Sequence, residues 1–213
     1  MSFNLTTWDK IYKNYLKGGP AYASLGYEIY PPFKKFIKRS KFTSKSALDI
    51  GCGDGRYLKY LQTLGFATDG IDSSLSAVKM TKKLLKDKSR IIKADMFKYK
   101  IPPGKYDFIF SFNTLQHGKK AQIRKLVNRI FRALRNNGKT LITLPDCQQI
   151  NEWHHFQKKR MVSAGTYIPL TGPEKGLPHS FFTKKEIARF FLKFKKVKIK
   201  MGNYGRWFIQ AEK

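Results

Sequence analysis

The chain has 213 residues, room for one sizeable core and little more, and its 41% hydrophobic and 15% aromatic content is enough for a packed fold. Its 43 Lys and Arg against 14 Asp and Glu give a formal net charge of +29, which points to a polyanionic partner, with RNA or DNA first, or to lysines spread over solvated faces. No apolar run nears 18 residues and no secretory pattern opens the chain, so no membrane span and a cytoplasmic location are expected, while Cys52 and Cys147 lack the spacing of metal ligands or of a disulfide framework.

Residues 1–46 precede the first strand. Trp8, Ile11, Tyr12 and Tyr15 share one helical face, and Gly18-Gly19-Pro20 and Pro31-Pro32 interrupt the chain. With Tyr22, Tyr27 and Tyr30, these aromatics are mostly expected to pack, one or two of them at the mouth of a site. Phe33, Phe36 and Ile37 interleave with Lys34, Lys35, Lys38 and Arg39 in an amphipathic helix.

Ala47-Leu48-Asp49-Ile50 is a short apolar run that carries one acid. It leads into Gly51-Cys52-Gly53-Asp54-Gly55, which reads as a tight turn into a helix with Tyr57, Leu58 and Leu61. Glycine there lets the backbone take unusual dihedrals and lets a ligand approach without a Cβ in the way. The second strand spans residues 66–71 and ends at Asp72, followed by a helix from about Ser73 with Leu75, Val78, Leu84 and Leu85 inward and a lysine face outward. Residues 91–95 form a third strand and 106–112 a fourth. The next helix carries Ile123, Leu126, Val127, Ile130 and Leu134 and stops near Asn136-Asn137-Gly138, before a fifth strand from Lys139 to Leu144.

Residues 145–182 lack strong periodicity, and at that length they read as a lid or binding loop, with His154 and His155 as lid or surface residues. Thr183-x-x-Glu186 is a capping box that opens a helix with Ile187, Phe190 and Phe191. Val197, Ile199 and Met201 alternate with lysines before a turn at 202–205 and a final strand from Arg206. Strands alternating with helices predict a parallel α/β sheet covered on both faces, and the closing hairpin adds one antiparallel strand.

Asp72 ends the second strand where a ribose-hydroxyl binder belongs, a placement that fits NAD and S-adenosylmethionine equally. Three details favour the second: Gly-x-Gly-x-Gly in place of Gly-x-Gly-x-x-Gly, Asp49 before the turn, and Asp95 at the end of the third strand. On these residues the chain resembles the class I S-adenosylmethionine-dependent methyltransferases. The resemblance implies a Rossmann-like, seven-stranded, mostly parallel sheet with the last strand antiparallel and helices on both faces. It implies one methyltransferase domain over 1–213, with an N-terminal helical cap (1–46), a cofactor-binding core (47–144), a lid or substrate insertion (145–182) and a C-terminal helix and β-hairpin (183–213).

It further implies S-adenosylmethionine as cofactor and no metal. Gly51, Cys52, Gly53 and Gly55 would pass the methionine and ribose portions, and Asp49 would help hold the amino group. Asp72 would accept from the ribose hydroxyls with Ser73 at the rim, Asp95 would accept from the adenine amino group with Met96 beside the ring, and Ser111 and Phe112 would lie next to the sulfur. Strand four departs from the Asn-Pro-Pro-Tyr and Asp-Pro-Pro-Tyr signatures of base exocyclic-amine methylation. Its run from Phe110 to His117 is similar instead to the broad group that includes quinone-biosynthesis, other small-molecule and wobble-uridine tRNA methyltransferases.

His117 is therefore a candidate to orient the acceptor or take a proton. His179, in a run similar to the group's His-x-Phe-Phe-Thr, is a candidate to reach the pocket from the lid. Each also reads as a structural histidine. The acceptor expected is a small molecule, with RNA as the alternative favoured by the charge. A non-catalytic nucleic-acid-binding or cofactor-sensing protein and an NAD-dependent oxidoreductase are the readings from other classes.

Overall fold

The computed structural model describes residues 6–19, 28–86, 88–152 and 158–213; Tyr22, Tyr27, His154 and His155 lie outside them. Two helices, α1 (Thr6–Leu16) and α2 (Pro31–Arg39), precede β1 (Ser46–Ile50). There follow α3 (Arg56–Thr63), β2 (Ala67–Asp72), α4 (Leu75–Leu85), β3 (Ser89–Lys93), β4 (Tyr106–Ser111), α5 (Lys120–Ala133) and β5 (Leu134–Pro145). The insertion holds β6 (Lys159–Ser163), β7 (Thr166–Pro169) and β8 (His179–Ser180), and the chain closes with α6 (Lys184–Phe190), β9 (Lys195–Met201) and β10 (Arg206–Glu212).

The main sheet has seven strands in the order β3-β2-β1-β4-β5-β10-β9, with β10 antiparallel to both neighbours. The last strand, β10, thus lies between β5 and β9, in the Rossmann-like, mostly parallel sheet that the resemblance implied. Its centre is buried on both faces, which is why β4 reads Tyr-Asp-Phe-Ile-Phe-Ser with every residue buried instead of alternating with polar ones. The period of two still sorts the side chains. Leu48, Ile50 and Ile109 pack with Ile123, Leu126, Val127 and Ile130 of α5, whereas Ala47, Phe108 and Phe110 pack with Phe33 of α2 and Leu58 and Leu61 of α3.

Three local expectations differ. Leu75 and Leu84 are exposed, because the stripe that α4 buries runs through Ala77, Val78, Thr81 and Leu85; Leu75 shares the lysine side with Lys79 and Lys82, and Leu84 lies on the flank. Helix α5 ends at Ala133, before Asn136-Asn137-Gly138. Leu134 already has extended dihedrals and pairs with Tyr106, and Asn137, at φ 61°, belongs to an irregularity in β5. The insertion contains a three-stranded antiparallel sheet, β6-β7-β8, in which Thr166 of β7 and His179 and Ser180 of β8 are buried, as is Phe181 after it. Its strands of five, four and two residues are too short to leave a periodic trace in the sequence.

Candidate active site

The crevice lies at the carboxyl ends of β1, β2 and β4, and it begins with the backbone of the glycine turn. Gly51 and Cys52 both donate to the Ile71 carbonyl, at 2.8 and 3.0 Å, tying the turn to β2. Gly51 and Gly53 take φ of 82° and 55°, which side chains resist. A Cβ on Gly51 would fall 2.3 Å from Thr114, and one on Gly53 would fall 2.8 Å from the Tyr12 hydroxyl. Glycine at these two positions therefore lets Thr114, in the loop after β4, and Tyr12 of α1 close directly on the turn. Gly55, at φ 81°, faces Thr81 of α4 instead and does not line the cavity.

Asp72 is fixed at the end of β2 by two backbone amides, Gly53 N to Oδ2 at 3.0 Å and Ser74 N to Oδ1 at 2.8 Å. Burial pushes its carboxyl up to about 6, against the pull of those amides. Asp49 is 3% exposed, and among the described residues no hydrogen bond reaches its carboxyl. Burial, with the charge of Asp72 next, pushes it well above the ordinary carboxylate range. Asp95 accepts from the Phe97 amide at 2.8 Å, and Asp54 pairs with Arg56 at 2.8 Å. All four acids line one cavity, together with Gly51, Cys52, Gly53, Ser73, Met96, Phe112 and His117. Among Lys and Arg side chains, Arg56 alone appears in that lining.

Helix α1 covers the turn. Asp9 accepts from Ser74 Oγ at 2.9 Å and from the Ser76 amide at 2.8 Å, which docks α1 on the start of α4. Burial opposes its ionisation, but these bonds and Lys13 hold it well below the usual carboxylate range. Ser74 thus joins two acids, donating its amide to Asp72 and its hydroxyl to Asp9. Trp8 and Tyr12 reach into the cavity and leave about 100 Å³ of free space, well under the roughly 300 Å³ where small-ligand clefts begin.

His117 lines the cavity and is 7% exposed. Its Nδ1 lies 3.2 Å from the Pro178 carbonyl, which can only accept, so Nδ1 carries the proton and Nε2 accepts from the Gln116 amide at 3.2 Å. Burial, then the neighbouring His179, lowers its pKa to about 3. The lid holds this ring in place, because Ser180 donates to the Gln116 carbonyl through its amide (2.9 Å) and to the Gly118 carbonyl through its hydroxyl (2.6 Å).

Two further residues singled out by sequence lie outside the lining. His179 is fully buried behind His117, ring centroids 4.5 Å apart, with its nitrogens facing Leu177 O at 3.0 Å and Glu174 Oε2 at 2.7 Å; it is a tie within the lid. Ser111 is fully buried and donates to the Ile50 carbonyl at 2.7 Å, bracing β4 on β1, so its hydroxyl is spent away from the cavity. Sequence reasoning passed over Arg56, Tyr57, Asn113 and Thr114, which do line it. Tyr57 stacks on Phe112 with centroids 4.9 Å apart, a pairing of residues 55 positions apart that no local pattern carries. Asn113, at φ 54° two residues past the end of β4, is a turn signal that could have been read.

A methyltransferase-domain family matches residues 47–138, the span that contains the turn and all four acids. The chain carries a class I methyltransferase domain. No curated protein sequence matches it. Among solved structures, an S-adenosylmethionine-dependent methyltransferase from Methanosarcina mazei is 17% identical, with a TM-score of 0.67 over 88% of this chain and 99% of that one. A protein from Pyrococcus horikoshii OT3 is 15% identical, with a TM-score of 0.72 over 94% and 98%. Magnesium protoporphyrin IX methyltransferase from Synechocystis PCC 6803, solved with S-adenosylmethionine bound, is 11% identical, with a TM-score of 0.58 over 84% and 75%. At such identities the likeness is one of fold, and it agrees with the family and architecture expected from the sequence. Among the described residues, no helix of this methyltransferase is long and apolar enough to cross a membrane.

Proposed function

We propose that this methyltransferase moves a methyl group from S-adenosylmethionine to a small-molecule acceptor. The observation that carries the reading is electrostatic. In a chain with three times as many basic as acidic residues, four of the 14 acids converge on one cavity, opposed there by one arginine. Such a cavity favours a ligand with cationic groups and disfavours phosphate. S-adenosylmethionine supplies an electrophilic methyl on a positively charged sulfur, an amino group and a ribose diol, whereas NAD would bring two phosphate charges to the same turn. The glycine turn at Gly51 and Gly53 and the Asp49 carboxyl, all in the cavity lining, suit that cofactor once α1 shifts to enlarge the space.

In this reading Asp49 takes the amino group and Asp72 the ribose hydroxyls, with Ser73 at the rim. Asp95 and Met96 hold the base, and Gly51, Cys52 and Gly53 form the floor. Burial pushes the Cys52 thiol up, with Asp72 and Asp49 adding to it, so Cys52 serves as a small neutral filler and not as a nucleophile. Phe112, Tyr57, Trp8 and Tyr12 wall the cavity with aromatic surface that suits a flat acceptor and a neighbouring cation. His117 is neutral at physiological pH, and its Nε2 already accepts from Gln116. It orients the acceptor and does not remove a proton from it.

Residues 1–46 act as the cap, 47–144 as the cofactor core and 145–182 as the lid of one domain that 183–213 complete, and a cytoplasmic setting belongs to the same proposal. RNA as acceptor is a second reading, favoured by the net charge of +29. Incubation with methyl-labelled S-adenosylmethionine and a cell extract separated by size tests the choice. Label in the low-mass fraction supports the proposal; label confined to nuclease-sensitive material would replace it with the second reading.

A further inference from the structure

The lysine-rich surface is not uniform. A groove of about 990 Å³ runs between α2 and the β9–β10 hairpin, on the sheet face opposite α5. Six cationic side chains line it: Lys35 and Arg39 from α2, Lys139 from β5, and Lys196, Lys198 and Lys200 from β9. Its one acid, Glu212, is already engaged by Lys139 at 3.2 Å and Lys196 at 2.8 Å. Among the described residues, no carboxylate forms an ion pair with Lys35, Arg39, Lys198 or Lys200.

This differs from the lysines of α4, where Lys79, Lys82 and Lys83 share one convex, exposed helix side. In the groove, Lys35 and Arg39 lie one helical turn apart and face Lys198 and Lys200, two residues apart on one side of β9. Like charges brought together from segments 160 residues apart in sequence repel one another, and the fold keeps them together in a concave surface. At its upper end the groove carries Tyr30, whose ring lies 6.4 Å from Phe112 in the wall of the cofactor cavity, and Phe36 adds a second partly exposed ring. Ser40 and Gln210 add uncharged hydrogen-bonding groups among the cations.

We propose that this groove binds single-stranded RNA. The lysines and Arg39 hold successive phosphates, Tyr30 and Phe36 offer faces on which bases stack, and Ser40 and Gln210 suit the 2′-hydroxyls. A planar membrane surface does not follow a groove, and a duplex offers no unstacked base to the rings. The strand would end beside Phe112. The acid-lined cavity itself does not take phosphates, so the docking site and the cofactor site are separate in charge as well as place.

Fluorescence anisotropy with a labelled 12-nucleotide single-stranded RNA tests the proposal on the whole chain. Four uncompensated cations predict a slope of log K against log salt of about −3, so that affinity falls about 50-fold between 50 and 200 mM salt. Either the pair Lys198→Gln and Lys200→Gln or the pair Lys35→Gln and Arg39→Gln is expected to bring the slope to about −1.4 and weaken binding at least tenfold at 100 mM salt. Lys79→Gln with Lys82→Gln removes the same charge from α4 and should leave both unchanged. All six positions are exposed, and melting temperatures should match the parent.

Equal loss from the α4 pair, or no binding at 50 mM salt, would overturn the proposal. So would equal binding of a duplex of the same length or of phosphatidylserine vesicles. Cofactor binding is not part of the readout, so this proposal and the methyltransferase reading fail separately.

Discussion

Asp72→Asn separates a ligand-binding carboxylate from a structural one, because the two roles predict opposite signs. In the folded protein the Asp72 carboxyl is raised from 3.8 to about 6, chiefly by burial. At about 1.4 kcal/mol per unit, ionised Asp72 costs the unliganded protein about 3 kcal/mol at pH 7. The sign follows from linkage: with the folded value above the unfolded one, the contribution of Asp72 to stability is greatest below about pH 4 and is lost as pH rises through about 6. Asparagine removes that burden. It also leaves one of the two amides, Gly53 N or Ser74 N, facing an NH₂ group, which costs about 1–3 kcal/mol. The net is a gain of about 0–2 kcal/mol, or up to about 8 °C in a chain of this size. Binding moves the other way, because hydrogen bonds to a charged acceptor contribute about 1.5–3 kcal/mol, roughly a 10- to 150-fold loss of affinity. Differential scanning calorimetry and titration with S-adenosylhomocysteine read both effects. A melting temperature several degrees lower with unchanged affinity would refute the reasoning and make Asp72 a structural residue.

Gly53→Ala forces a side chain to φ 55° and sets a Cβ 2.8 Å from the Tyr12 hydroxyl; an expected stability loss of about 1–2 kcal/mol, checked by urea unfolding, should accompany at least a tenfold loss of cofactor affinity. Asp9→Ala removes the acceptor that docks α1 on α4, at a cost of about 1–2 kcal/mol. Because Trp8 and Tyr12 leave so little space, α1 must shift to admit a ligand, so stopped-flow fluorescence should show both association and dissociation faster in this variant; unchanged rates would remove α1 from the entry path. His117, with its pKa lowered to about 3, should show neutral imidazole ¹⁵N shifts from pH 8 down to 5, and a titration near 6.5 would contradict the buried, Nδ1-protonated ring. Thr183→Ala opens the capping box of α6, where Thr183 Oγ1 accepts from Glu186 N at 3.2 Å, and should cost about 1 kcal/mol in thermal unfolding.

The alternation of short apolar runs with helical stripes made the strands of the main sheet legible, and the closing hairpin its antiparallel strand; the place of β10 between β5 and β9 came from the family resemblance. What failed did so where tertiary contacts overrule local pattern. Asn136-Asn137-Gly138 looks like a helix stop, yet pairing of Leu134 with Tyr106 begins the strand earlier. The acids of the site stood out because they sit at strand ends: Asp72 is the last residue of β2, Asp49 the last but one of β1, and Asp95 lies two residues past β3. Ser111 and His179 carry the right chemistry at the right distance in sequence, but a hydroxyl or ring can turn either way, and here they turn to the Ile50 carbonyl and to Glu174. Tyr57 and Phe112 meet only through the fold. The charge of the groove was visible as lysine counts, but its concavity was not, since α2 and β9 are distant in sequence.

The most direct test of the central claim is isothermal titration of the parent chain and of Asp49→Asn, side by side, with S-adenosylmethionine, S-adenosylhomocysteine and NADH. The account predicts that the parent binds the first two and not NADH, and that Asp49→Asn weakens both adenosyl ligands through the shared amino group. Binding of NADH in preference to either, or no binding of any of the three, would contradict it.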